Sequence, residues 1–177
     1  MRLPALIHVI DAVRALTACE QITVAGSAAL LACDPALGDA DGPLELTRDA
    51  DLLIVPSDAQ MAAIVHEALG EGSLFDARFG YYVDLLQPHV SQTFALGWQQ
   101  RTRALAGANA LAAEDIAAVK LRVGRDKDLK LVAQLLQRGL VQTAQLVELV
   151  MTMNLAERDQ RAALRRLSGL TTTTMKR

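Results

Sequence analysis

Aromatic side chains are nearly missing from this chain: three Phe, two Tyr and one Trp serve 177 residues. The core therefore has to be packed from Ala, Leu and Val. With 51% hydrophobic residues, that composition leans towards helix. Cysteine is scarce as well. Cys19 and Cys33 show no metal-ligand spacing and read as two reduced, buried thiols, so no disulfide framework is expected. No apolar run approaches the roughly eighteen residues of a membrane span. Residues 1–17 resemble a signal peptide in hydropathy, but His8, Asp11 and Arg14 interrupt them. Their apolar residues Leu6, Ile7, Ile10 and Val13 recur at helical spacing instead. A soluble, cytoplasmic protein without membrane partners is the expectation. The formal charge of −2 excludes a global attraction to nucleic acid, so any basic site is local. His8, His66 and His89 are scattered without mutual metal spacing and read as packed or solvated residues.

What the chain does have is a clear order of elements. Its length fits one domain, with or without a helical appendage, and suffices to bury a core without staples. An amphipathic helix is expected over 4–18, with Pro4 tolerated in the first turn. A short strand follows at 22–25. It runs into Gly26-Ser27 and a helix at 28–33, where Gly26 permits a tight turn and Ser27 is a good N-cap. Residues 34–45 are rich in Asp, Gly and Pro and read as a loop. A second strand at 50–55 ends at Pro56, and a helix at 59–69 is capped by Ser57 or Asp58. A third strand is expected over 79–86, a further extended piece at 93–96, and a turn at 97–101. From Ala113 the pattern is helical throughout: 114–122, 127–138, 143–153 and 156–167, with 171–177 frayed. The class is α+β, a small mixed sheet flanked by helices and followed by a C-terminal helical region. The division is a core of 1–110, a helical region of 111–170 packed on it, and a flexible tail of 171–177.

The chemistry gathers around Thr47-Arg48-Asp49-Ala50-Asp51-Leu52-Leu53-Ile54-Val55. Side chains two apart on a strand share a face, so Asp49 and Asp51 stand side by side. Two carboxylates about 4 Å apart repel by roughly 4 kcal/mol at a surface-like dielectric of about 20. A cation, a helix N-terminus or plain solvation relieves that repulsion. If the third strand neighbours the second, Asp84 joins the pair. Such hard oxygen ligands suit Mg²⁺ together with phosphate oxygens. The other reading is that all three are solvated strand-end and turn residues. Gly26-Ser27, at a strand-to-helix turn, fits a phosphate cradle or an ordinary capped helix. Lys120, Arg125 and Lys127 surround Gly124 between two helices. They read either as phosphate-neutralising cations or as partners of Asp126 and Asp128 at a capped corner. Tyr82 shares a strand face with Asp84. Trp98 reads as a base-stacking ring or as a core plug. Arg158, Arg161, Arg165 and Arg166 form a solvated face or an RNA-binding one.

The order strand, Gly-Ser, helix, Asp-x-Asp strand and single-Asp strand resembles the nucleotidyltransferase superfamily of polymerase-beta-like fold. A narrower resemblance spans most of the chain. Gly72-Ser73-Leu74-Phe75 with Gly80-Tyr81-Tyr82-Val83-Asp84 carries it, as do Gly97-Trp98 with Arg101. Glu114-Asp115-Ile116-Ala117, Lys120-Leu121 and Gly124-Arg125-Asp126-Lys127-Asp128 complete it. These segments are similar to a small bacterial nucleotidyltransferase-fold family of unknown function, itself similar to AbiEii-type toxins of toxin–antitoxin and phage-defence systems. The resemblance implies catalytic and metal-binding roles for Asp49, Asp51 and Asp84. It implies nucleotide-phosphate contacts from Gly26, Ser27, Lys120, Arg125 and Lys127. The implied cofactor is Mg²⁺ or Mn²⁺, the substrate a nucleoside triphosphate, and the acceptor a hydroxyl on RNA or protein. A cognate antitoxin is an implied partner. The alternative is a non-catalytic nucleotide- or partner-binding module of the same fold. Two departures stand out: the loop 34–46 is long and acidic, and Ala50 replaces a bulkier residue between the aspartates.

Overall fold

The computed structural model describes residues 1–174, and the chain is an α+β protein whose contacts cluster into two compact units. The first comprises Met1–Pro88 and Thr102–Leu111, the second His89–Arg101 and all that follows Leu111.

The first unit is built on a five-stranded mixed sheet. Its strands are β1 (Gln21–Val24), β2 (Asp49–Val55), β3 (Tyr82–Leu85), β4 (Arg103–Leu105) and β5 (Ala108–Ala110), in the order β3-β2-β1-β5-β4. β1 and β2 are antiparallel, as are β4 and β5, while β2/β3 and β1/β5 run parallel. One face of the sheet carries Ile22, Val24, Ala50, Leu52, Ile54 and Val83, all buried. Helix α1 (Leu3–Leu16) buries Leu6, Val9, Ile10 and Val13, the i, i+3, i+4, i+7 stripe of a core-facing helix. Helix α2 (Ala59–Leu69) starts where the Asp58 carboxylate accepts from Met61 N at 2.7 Å and packs on β3. The loop 34–46 is anchored rather than loose. It includes a 3₁₀ turn at Pro35–Gly38, plugs Leu37 and Leu44 into the core, and the Leu44, Glu45 and Thr47 carbonyls accept from the Met1 amino group.

Two expected strands take a different form. Residues 79–86 are not one strand: helix α3 (Leu74–Phe79) occupies the approach, and only Tyr82–Leu85 pair. Ser73 Oγ caps α3 by accepting from Asp76 N, the Asp76 carboxylate reaches back to Gly72 N at 3.1 Å, and left-handed Gly80 ends it. That reciprocal cap outweighs the strand propensity of Phe79-Gly80-Tyr81-Tyr82. The extended piece at 93–96 is likewise replaced by a 3₁₀ turn over Pro88–Thr93 and one isolated bridge, Ala95 to Met153.

The second unit holds α4 (Trp98–Arg101), α5 (Ala113–Val123), α6 (Asp126–Gln137), α7 (Thr143–Thr152) and α8 (Glu157–Thr174). Residues 171–174, expected to fray, continue α8, and 175–177 lie outside the described residues. Helix α5 is central and contacts α6, α7 and α8. Asp115 is fully buried and takes a two-pronged bond from Arg101, Nε to Oδ2 at 2.9 Å and Nη2 to Oδ1 at 2.6 Å. Trp98 meets Phe94 edge-to-face at 5.4 Å, so its ring is packed within this unit.

Arg166 is not part of a solvated face. Its Nη1 donates to the carbonyls of Leu121 and Arg122 at 2.8 and 2.9 Å, closing the C-terminus of α5, where a cation also meets the negative end of the helix dipole. The guanidinium lies over Gly124, whose φ is +71°. A Gly124→Ala substitution therefore meets both an unfavourable backbone conformation and the arginine. Its expected cost is about 1–3 kcal/mol, read as a lower urea midpoint. Gly139, at φ +68° with open space around it, is the control. Gly139→Ala reports the backbone part alone and should cost less; equal losses would mean that Arg166 contributes nothing there.

Candidate functional site

Strand register sets Asp49, Asp51 and Asp84 on neighbouring strands of the first unit. In the β2/β3 ladder Asp49 is opposite Tyr82 and Asp51 is opposite Asp84, and paired residues on neighbouring strands, about 4.8 Å apart, present side chains to the same face. The condition set by the sequence, that the third strand neighbours the second, is met. Across β1 the same face continues through Leu53 and Thr23, and then Asn109 of β5. This face is only partly covered: Asp49, Asp51, Tyr82 and Thr23 are half-buried and Asp84 is exposed.

Gly26 closes in on this group. Ala25 N donates to Asp51 O at 2.9 Å, tying the end of β1 to the start of β2. A Cβ on Gly26 would overlap the Asp51 carboxylate and come within 2.6 Å of its Cβ. The backbone of Gly26 is ordinary, φ −96° and ψ −163°, so glycine is needed here for space and not for conformation. Ser27 is the first residue of a 3₁₀ helix, Ser27–Ala32, and Gly26 is its cap residue. The expected N-cap role of Ser27 is corrected accordingly. Six residues of 3₁₀ helix supply little dipole. What this turn offers is close backbone approach to Asp51.

Sequence reasoning passed over Arg48 and Asp76. Arg48 Nε donates to Gly80 O at 2.9 Å, Nη2 donates to Asp76, and the guanidinium lies 5.8 Å from the Tyr82 ring centre. The amide of Gly72, and then the Arg48 guanidinium, hold the Asp76 carboxyl below the usual carboxylate range. Burial raises the Tyr82 phenol, with Glu71, Asp49 and Asp84 adding to the rise and Arg48 opposing it. The signal that could have revealed Asp76 is Ser73-x-x-Asp76, a capping pattern of the kind that starts a helix. Another group outside the sequence reading surrounds His8, which touches Phe75, Phe79 and Tyr81 and has Nδ1 2.8 Å from the Tyr81 hydroxyl. Between α2 and the edge strand β3, a cleft of about 200 Å³ is bordered by His66, Asp84 and Gln87.

Lys120, Arg125 and Lys127 belong to the second unit. Lys120 Nζ is 3.1 Å from Asp128 Oδ1, and Arg125 Nε donates to Asp128 Oδ2 at 2.7 Å. Asp128 is buried and joins the last turn of α5 to the first turn of α6. Lys127, on α6, is exposed.

A divalent ion is tested by the donors themselves. Asp49, Asp51 and Asp84 are hard oxygen donors of the kind Mg²⁺ takes, and Gly26 leaves room for the Asp51 carboxylate. Among the described residues, no three His, Cys, Asp or Glu side chains are already placed as a metal cage. Mg²⁺ commonly binds through one or two carboxylates, with water and phosphate oxygens completing its shell, a donor set that Asp49 and Asp51 could supply. Among the described residues no helix is long and apolar enough to cross a membrane. Compared with family models, with curated proteins and with solved structures, the chain matches none.

Proposed function

We propose that the first unit is a nucleotidyltransferase of polymerase-beta-like fold. It would move a nucleotidyl group from a nucleoside triphosphate to a hydroxyl on RNA or protein, as a component of a toxin–antitoxin or phage-defence system. The observation that carries this reading is the seating of Asp51: its carboxylate fills the space left by the missing Gly26 side chain, while Asp84 is its register partner. A Gly-Ser turn, an Asp-x-Asp strand and a further Asp, more than fifty residues apart at the extremes, thus meet at one end of one sheet.

In this reading Asp49 and Asp51 hold Mg²⁺ or Mn²⁺, and Asp84 is a third ligand or receives the proton of the acceptor hydroxyl on a carboxylate oxygen. The ion would supply charge neutralisation on the triphosphate. Gly26 and Ser27 approach the β- and γ-phosphates with backbone N–H groups. The test is thermal stabilisation by each of the four triphosphates with Mg²⁺, in wild type and in Asp49→Asn/Asp51→Asn. At about a hundred times the dissociation constant, binding adds roughly 2.7 kcal/mol, and the double variant should lose that gain. Equal stabilisation of both proteins would sink the metal assignment. A second reading is a non-catalytic nucleotide- or partner-binding module of the same fold. It predicts nucleotide binding without transfer of label to RNA or protein.

A further inference from the structure

Arg48 is held in place more firmly than its exposure requires. Asp76 takes one edge of the guanidinium and the Gly80 carbonyl takes Nε, while the Tyr82 ring centre is 5.8 Å from the guanidinium carbon. Both acceptors are themselves fixed, Asp76 by the cap of α3 and Gly80 by its left-handed position after that helix. Yet the Arg48 side chain is 55% exposed, against 9% for Asp76. A guanidinium carries five N–H donors. Two are engaged by these acceptors, and the remaining three have no partner among the described residues. An arginine needed only to neutralise Asp76 would not have to keep an open, immobilised edge.

Its place in the chain gives that edge a target. Arg48 immediately precedes Asp49, and the ring beneath it belongs to the register partner of Asp49. A planar, prearranged fork of donors is suited to phosphate oxygens. We propose that Arg48, braced by Asp76 and Tyr82, forms a phosphate subsite beside the carboxylate face and takes the terminal phosphate of a nucleoside triphosphate. The nucleotide part rests on the function proposed above; the arginine's affinity for phosphate does not depend on any metal ligand. Asp76 is then a positioning residue and touches no substrate.

The experiment compares calorimetric binding of ATP, GTP, CTP and UTP with that of their diphosphates, all with Mg²⁺. The proteins are wild type, Arg48→Gln, Arg48→Lys, Asp76→Asn and Asp49→Asn/Asp51→Asn. Arg48→Gln should lose about tenfold to a hundredfold of triphosphate affinity, the usual worth of a hydrogen bond to a charged group, and leave diphosphate binding unchanged. Arg48→Lys should recover part of the triphosphate preference, because it keeps the charge without the fork. Asp76→Asn should reduce the preference by less than Arg48→Gln. A full triphosphate preference in Arg48→Gln would overturn the subsite. So would an equal loss of di- and triphosphate binding that tracks a fall in unfolding midpoint, since that marks a structural arginine. If the preference collapses in Arg48→Gln while Asp49→Asn/Asp51→Asn binds normally, the subsite stands and the metal reading falls. A wild-type protein that binds no nucleotide overturns both.

Discussion

Asp128→Ala is expected to lower the free energy of unfolding by about 3–5 kcal/mol, the range for removing one partner of a buried ion pair. The carboxylate is 2% exposed and Lys120 is 13% exposed, so the lysine left behind would be a nearly buried charge without a counter-ion. Arg125 is 57% exposed, and solvent screens its share. Most of the loss should therefore come from the lysine side, which Lys120→Met in the same background would reveal by restoring part of the stability. Asp128→Asn, still able to accept hydrogen bonds, should cost less than Asp128→Ala. The effect also carries a pH signature. Burial alone would raise the Asp128 pKa, but hydrogen bonds from Arg125 and Lys120 outweigh it and leave the folded value below 3.8. A folded pKa below the unfolded one gives stability that is fully present above the unfolded value and fades as pH falls through the folded one. The gap between wild type and Asp128→Ala in urea midpoints should thus be constant near neutrality and shrink below about pH 4. A loss under about 1 kcal/mol at pH 7 would mean that the α5–α6 corner is held by its leucines instead.

Gly26→Ala is expected to strike the candidate site more directly than any other single methyl. The new Cβ would occupy the position of the Asp51 carboxylate, and the Asp51 Cβ only 2.6 Å away blocks escape by side-chain rotation alone. Either the end of β1 separates from β2, breaking the Ala25–Asp51 backbone bond, or Asp51 leaves its place on the polar face. Overpacking of this kind costs about 1–3 kcal/mol. Mg²⁺-dependent stabilisation by triphosphate should disappear along with it. A double-mutant cycle separates the two effects: Gly26→Ala should cost much less stability in an Asp51→Gly background, because the obstructing atoms are gone. Additive losses would show that the two residues do not compete for one space. Native-like stability and nucleotide response in Gly26→Ala would mean that the Asp51 carboxylate does not need the space beside a glycine.

The parts of this structure that were readable from sequence are those fixed by short-range rules. Asp-x-Asp on an apolar run gives two carboxylates on one face by the period of two alone. Asp58 caps α2, and the four late helices announce themselves by apolar spacing between Gly124, Gly139 and Asn154. The partnership of β1 with β5 was not readable, because it joins residues more than eighty apart and nothing local at Asn109 specifies it. Helix α3 was hidden by its own aromatics, which favour strands, although Ser73 and Asp76 carry the opposing signal. Missing α3 also hid the brace on Arg48, since Asp76 is aimed by that helix. Crowding at Gly26 was unreadable for a different reason: a glycine required for space looks the same in sequence as one required for a turn.

The return of residues 102–111 to the first unit sets the order in which this protein can mature on the ribosome. β1 is laid down early, but the strand that covers its outer edge is not synthesised until Asn109 and Ala110 follow, after an excursion through 89–101 that belongs to the other unit. Until then the nascent sheet has an open edge at Thr23 and Val24, the sort of surface that pairs with a neighbouring chain. The same excursion leaves Arg101 waiting for Asp115. Neither unit is a contiguous segment of sequence, so no single cut releases one intact. Despite the abundance of local helix contacts, these interleaved, long-range closures should govern the rate of folding.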